Sequence, residues 1–270
     1  MKKIMVIGAH PDDCDFSCGG IALKLLKEGF DVKFLSLTNG GAGHHLMNSD
    51  DLIKRRIVEM GKVSEITGII YDVWADSKDG ELVASIENRK RLVCEIRNYK
   101  PDVIICNRLN DYHPDHRNAS QLVQDASYML IVPLFVPEVP ALDRTPIIMH
   151  SYDGFKNPEF HPDVVIDIDD VIVEKFKMTS CHESQVYEWL PYASGIIDNV
   201  PESAGERFEW LCSPEQKRNI KAKNASDKYR EFLIQRYGKK GETTVYSEAF
   251  EISEYGRRPD ENELIELFPF

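Results

Sequence analysis

The sequence predicts a Rossmann-like, doubly wound α/β fold, with a mostly parallel sheet and helices on both faces. Two observations carry the prediction. Short runs of β-branched and apolar residues recur through the first two thirds of the chain and alternate with segments of helical spacing. The runs are apolar at nearly every position rather than at every second one, as in parallel strands covered on both sides. Right-handed βαβ units then follow from the alternation.

Each element has its own warrant. Residues 4–8 form a compact apolar run and read as the first strand. Ile21, Leu25 and Leu26 give helical spacing over 20–28, with the Gly19-Gly20 pair opening the helix and Gly29 capping its end. A second strand follows at 32–37. Asp51 would cap a long helix in which Ile53, Ile57, Met60 and Val63 share one face, ending at Gly68. Strands are expected at 69–74, 103–106, 147–151 and 164–168, and helices at 86–99 and 118–130. The proline-rich stretch 133–146 reads as a surface excursion. Beyond about Gln185 the alternation fades into aromatic and proline-containing sequence with one helix near 216–237. The chain therefore reads as one domain, with an α/β core at 1–185 and a C-terminal extension at 186–270 forming an appended lobe.

Composition narrows the partners. The 270 residues include 33 Lys and Arg against 45 Asp and Glu, a formal net charge of −12. A nucleic-acid binder would carry a basic face, and a peripheral membrane protein a polybasic one, so both are disfavoured. The six cysteines form no CxxC, which favours reduced thiols. The apolar N-terminal run is interrupted at His10-Pro11-Asp12-Asp13 before a secretory segment could form. A soluble cytoplasmic protein is expected, acting on a small molecule.

The chemistry concentrates in two turns. A dinucleotide fingerprint would need GxGxxG after the first strand, whereas this turn carries His10, Asp12 and Asp13, which would repel a phosphate. His10 and Asp13 are spaced to share a divalent ion. The second cluster, Asp111 to His116, follows the fourth strand. In doubly wound sheets the strands preceding these turns are neighbours, and a crevice opens at their carboxyl ends. Both clusters therefore face one crevice, which suits a catalytic metal held by two or three protein groups with positions left for water.

The residues His10-Pro11-Asp12-Asp13 with Cys18-Gly19-Gly20, and His113-Pro114-Asp115-His116, resemble the AHPDD…GG and HPDH signatures of the PIG-L/LmbE-like family of zinc-dependent de-N-acetylases. Arg56 with Glu59, and His182-Glu183-Ser184-Gln185, resemble the family's RxxE and HxSQ. The resemblance implies that His10, Asp13 and His116 bind Zn²⁺, or another divalent metal. It implies Asp12 as general base and then proton donor to the departing amine, and His113 as stabiliser of the oxyanion. Asp115 would orient His113, and Arg56 would contact substrate. The implied activity removes acetyl from an N-acetylated amino sugar such as an N-acetylglucosamine conjugate, in a homo-oligomer.

The sequence departs from the family at Cys14 and Asp15, where a Glu is common. Cys14 and Cys18 read as buried thiols, His44 and His45 as an exposed loop pair at the crevice edge, and His150 and His161 as structural. His182 reads as a helix residue hydrogen-bonded near the site rather than a fourth ligand. The aromatic stretch from Trp189 to Trp210 would line a sugar site or a subunit interface, or pack in the core. Two other functions stay open: an amidase acting on a different small substrate, and a zinc-binding protein without turnover.

Overall fold

The computed structural model describes residues 2–213 and 216–270, and for residues 217–221 the backbone alone. Seven strands form one sheet: β1 (Lys3–Gly8), β2 (Asp31–Ser36), β3 (Ile70–Val73), β4 (Val103–Cys106), β5 (Ile147–Ser151), β6 (Val164–Asp167) and β7 (Ser247–Ile252). Their order is β3-β2-β1-β4-β5-β7-β6, and only β7 runs against the rest. The helices that matter for the site are α1 (Asp13–Lys27), α2 (Ser49–Thr67), α3 (Ile86–Tyr99), α4 (Pro114–Ser127) and α5 (Ile172–Ser180).

The two-residue period of the strands divides the core. Ile4 and Val6 of β1 pack with α1 and α5, on Ile21, Leu25 and Met178, while Met5 and Ile7 pack with α3 and α4, on Leu92, Ile96 and Leu122. Each such side chain is essentially solvent-free, and its burial stabilises the fold by roughly 1.5–3 kcal/mol. Because α1 leaves β1 on one face and α4 leaves the adjacent β4 on the other, a crevice opens between the two chain reversals.

Several boundaries differ from those the sequence predicts. The first helix begins at Asp13, so Gly19 and Gly20 lie inside it. Their role is close approach. A Cβ on Gly19 would stand 2.3 Å from Met178 Cε of α5, and one on Gly20 would meet Ile168 and Glu248. The Glu248 carboxylate of β7 accepts from Gly20 N and Ile21 N, both at 2.8 Å. Lys175 of α5 ties the junction by donating to Glu248 and to Phe16 O.

Asn48, three residues before Asp51, caps α2 and accepts from Asp51 N, because the loop reaches helical geometry one turn earlier. The αL conformation of Gly68 ends that helix as the sequence predicts. Helix α4 starts at Pro114 rather than Asn118, since a proline is favourable at a first helical position. The helix expected near 216–237 is two helices, Lys217–Lys228 and Arg230–Tyr237, broken at Tyr229. Neither α5 nor β7 is signalled by the sequence, and β7 returns the segment beyond residue 185 to the sheet. The 133–146 excursion is held from beneath by Arg97, whose guanidinium donates to the carbonyls of Met129, Leu130, Val132, Phe135, Val136 and Val139.

Candidate active site

The turn after β1 folds back on itself tightly. A Cβ on Gly8 would come within 2.8 Å of Asp13 Cβ, so only glycine lets the reversal close. Asp13 Oδ2 accepts from Ala9 N at 3.0 Å and His10 N at 2.8 Å, which fixes the carboxylate over the strand end. Between them Asp12 is forced to φ 148°, a sparsely populated region for a residue with a side chain. Buried Arg56 of α2 secures it, reaching Asp12 Oδ2 at 2.9 Å and donating to Pro11 O and Gly40 O. A Cβ on Gly40 would meet that guanidinium at 2.3 Å.

His116, one turn into α4, comes across the crevice to this reversal. His10 Nδ1 and His116 Nε2 are 3.2 Å apart, and each lies near Asp13 Oδ2, at 3.3 and 3.2 Å. Carboxylates occupy the far side of both rings. His10 Nε2 faces Asp79 Oδ1 at 3.1 Å and Asp115 Oδ2 at 3.4 Å, and His116 Nδ1 faces Asp111 Oδ1 at 2.9 Å. Ionised carboxylates only accept, so with a cation in place of the inner protons each ring would keep its proton on the outer nitrogen, and two imidazole nitrogens would converge with one carboxylate oxygen. That arrangement is repulsive unless a cation sits among them.

The electrostatics agree. Burial works against a charged His10, but Asp115, Asp13 and Asp79 outweigh it and hold the ring well above its usual range. For His116, burial is likewise outweighed by Asp13 and Asp111, which lift it to about 9. The site demands positive charge. Outer carboxylates on metal-binding imidazoles are the usual means of fixing ring orientation and raising basicity, so the residues present fit a divalent ion. The ligand atoms of His10, His113 and His116 also lie within 4.8 Å of one another, as do those of His10, Asp79 and Asp115. The atoms of the trio with Asp13 stand 3.2–3.3 Å apart, a spacing that suits ligands about 2.0–2.2 Å from a tetrahedral zinc.

His113 stands beside this trio, its ring edge-on to His10 with centroids 4.6 Å apart. Its Nδ1 accepts from Asp115 N, which leaves the proton on Nε2. Burial, reinforced by the charges of His10 and His116, lowers its pKa and keeps the ring neutral. The result is a neutral donor held at the N-cap of α4. Asp12, by contrast, is pushed upward by burial against the opposing charge of Arg56.

Asp115 and His44 are placed differently from the expectation. The Asp115 carboxylate accepts from Gly80 N and Leu82 N and faces His10, so it orients His10; its backbone N–H is what orients His113. Arg56 is only 2 % exposed and is turned toward Asp12 and two carbonyls. His44 is not an exposed loop residue, since its ring is buried and meets Glu188 Oε2 at 2.8 Å, while His45 stacks on Tyr192. His182 lies beneath the turn, 3.2 Å from Asp15, which also accepts from Tyr71. Glu59 accepts from Ser184 N and Oγ, so the RxxE and HxSQ segments meet. That contact anchors a six-residue π-helix, Ser184–Trp189, over the crevice. Asp79 was missed; it is one aspartate in an ordinary polar turn and nothing in its neighbours marks it.

The crevice has two cavities that share Asp13, His116 and Tyr112. One, of about 480 Å³, is lined by Asp12, Arg56, Asp79, His113 and Trp189. The other, of about 600 Å³, extends past Phe155, Val186, Ile196 and Trp210. Among the described residues no helix is long and apolar enough to cross a membrane.

Comparison with known proteins places this geometry. The family profile for PIG-L, GlcNAc-PI de-N-acetylase, matches residues 5–127, the stretch that holds both turns. Diacetylchitobiose deacetylase from Thermococcus kodakarensis is 31% identical over 223 residues, covering 77% of this chain and 81% of the relative. A probable N-acetyl-alpha-D-glucosaminyl L-malate deacetylase from Bacillus cereus is 24% identical, over 78% and 94% of the two chains. Among solved structures, N,N'-diacetylchitobiose deacetylase from Pyrococcus horikoshii superimposes with a TM-score of 0.71 at 24% identity, over 97% of this chain and 88% of that one. The hydratase GalB from Pseudomonas putida KT2440 gives 0.73 at 18% identity, over 97% and 99%, so the fold alone does not specify the reaction. With a relative 31% identical over 77% of this chain and the family profile matching the stretch that holds both turns, the chain belongs to the PIG-L family of de-N-acetylases.

Proposed function

We propose that the protein is a metal-dependent hydrolase that removes the acetyl group from an N-acetylated amino sugar or its conjugate. The observation that carries this reading is the convergence of His10 Nδ1, Asp13 Oδ2 and His116 Nε2 at 3.2–3.3 Å, beside a buried Asp12 and a neutral His113. These three residues would hold Zn²⁺, which when bound supplies Lewis acidity toward the amide carbonyl and toward water. The protein's own groups do the rest. Asp12 accepts a proton from the attacking water and passes it to the amine nitrogen as the C–N bond breaks. His113 donates from Nε2 to the oxygen on which charge develops. Arg56 holds Asp12 in its strained position, and Asp79, Asp111 and Asp115 hold the two imidazoles. The substrate class follows the named activities of the deacetylase relatives, which act on N-acetylated sugars.

The test joins metal content to acetate release from N-acetylglucosamine and diacetylchitobiose. His10→Ala and His116→Ala should lose the metal. Asp12→Asn should keep it and lose about 10²–10⁴-fold in turnover, the usual contribution of a general acid-base group. Full activity of Asp12→Asn would overturn the mechanism.

A further inference from the structure

The two cavities have different relations to the reacting groups. Asp12 and His113 line the 480 Å³ cavity and not the 600 Å³ one, whereas Asp13 and His116 line both. An amide carbon carries three substituents in one plane: the oxygen, the nitrogen and the acyl chain. In the reading above, the oxygen turns toward His113 and the nitrogen toward Asp12, both on the side of the smaller cavity. The third substituent is left pointing past Asp13 and His116, where the larger cavity opens. A methyl group is about the size of a water molecule, whose share of liquid volume is roughly 30 Å³. Acetyl would leave nearly all of the 600 Å³ unfilled.

The walls suit a hydrocarbon chain. Phe155, Ile196 and Trp210 supply apolar surface. Two carboxylates on that wall are already engaged: Asp153 in a two-pronged pair with Arg108 at 2.6 and 2.8 Å, and Asp111 with His116 and the His113 N–H. Resting on the deacylase reading, we infer that the larger cavity receives the acyl chain of the substrate. The enzyme then hydrolyses amino sugars N-acylated with chains of about four to eight carbons in preference to acetyl. Water adds to the acyl carbon, the C–N bond breaks, and the products are a fatty carboxylate and the free amine, with the proton carried to nitrogen by Asp12. Asn107 and Asn199 line the same cavity and define the competing occupant, a second sugar ring.

The experiment compares kcat/KM for N-acetyl-, N-butyryl-, N-hexanoyl- and N-octanoylglucosamine and for diacetylchitobiose, in wild type and in Gly154→Phe and Ile196→Trp. Gly154 borders the cavity with no atom within 4 Å of an added Cβ, so its variant is compatible with the fold. Catalytic efficiency should rise about twofold to fourfold per methylene as far as hexanoyl, as expected for progressive burial. Both variants should lower the hexanoyl-to-acetyl ratio by about tenfold or more. A fall in efficiency with every added methylene overturns the inference and leaves the deacetylase intact. So does a loss confined to diacetylchitobiose in the variants, which would assign the cavity to the sugar. If no N-acyl sugar is hydrolysed, the deacylase reading fails, and calorimetric titration with N-hexanoyl- and N-acetylglucosamine still decides. Tighter hexanoyl binding that Gly154→Phe abolishes upholds the acyl site; equal binding overturns it.

Discussion

At the carboxyl end of β1 the chain reverses through Asp12 at φ 148°, with its carboxylate buried and drawn against Arg56. At the end of β4 the corresponding turn is relaxed: His113 is extended at φ −88° and ψ 132°, it caps α4 with its own ring, and Pro114 takes the first helical position. Both turns deliver an imidazole to the same point, yet only the first carries strain. Strained residues persist where surrounding structure over-determines them, and here the over-determining group is a single buried guanidinium. The difference separates two tasks. In the proposed mechanism the first turn holds the proton-transfer group where it would not otherwise rest, and the second presents the donor by ordinary helix-capping chemistry.

The largest effect should come from removing the guanidinium. Arg56→Ala leaves the Asp12 carboxylate buried without its cation, and equilibrium unfolding in urea should show a loss of about 3–5 kcal/mol. A loss near zero would mean that the first turn is no more constrained than the second. Next come the outer carboxylates. Asp111→Asn removes the carboxylate that, among the described residues, alone faces His116 Nδ1, and should weaken metal retention against a chelator by about 10–100-fold. Asp79→Asn should do less, because Asp115 still faces His10 Nε2. Equal losses would show that the two rings are supported alike.

The smallest effect is one of pH and belongs to the layer beneath the first turn. Burial favours neutral His182, but Asp15 outweighs it, so the folded pKa lies above 6.5. A group raised on folding contributes stability that is fully present below its unfolded pKa and fades as pH rises through the folded one. Thermal unfolding of wild type and His182→Asn should therefore differ most below about pH 6.5 and converge at alkaline pH. A gap that widens with pH would rule out a charged His182.

How much of this could be read beforehand depended on the signal each part leaves. Strands β4 and β5 and helix α3 lie where the sequence places them, because continuous apolar runs and a Ser85 cap are local features. The two site turns were legible because His and Asp crowd together there. Asp79 was not, since a lone aspartate in a turn has ordinary turn chemistry as its sufficient explanation. Strand β7 was hidden for a different reason. Its Glu248 breaks the apolar pattern, and nothing local shows that the charge is buried against Lys175 of a distant helix. Arg56 illustrates the remaining limit: its motif is visible, but whether it faces a ligand or the interior depends on packing contributed by other elements.

The Glu248 junction also bears on the order in which the molecule can be completed. His10, Asp13 and His116 all lie within the first 116 positions, yet the carboxylate that receives the Gly20 and Ile21 amides arrives 228 and 227 residues later. On the ribosome, the helix that begins with Asp13 has no such partner until residue 248 has emerged. Completion of the crevice is thereby linked to synthesis of β7, and a chain stopping short of that strand would carry Asp13 on a helix lacking its brace.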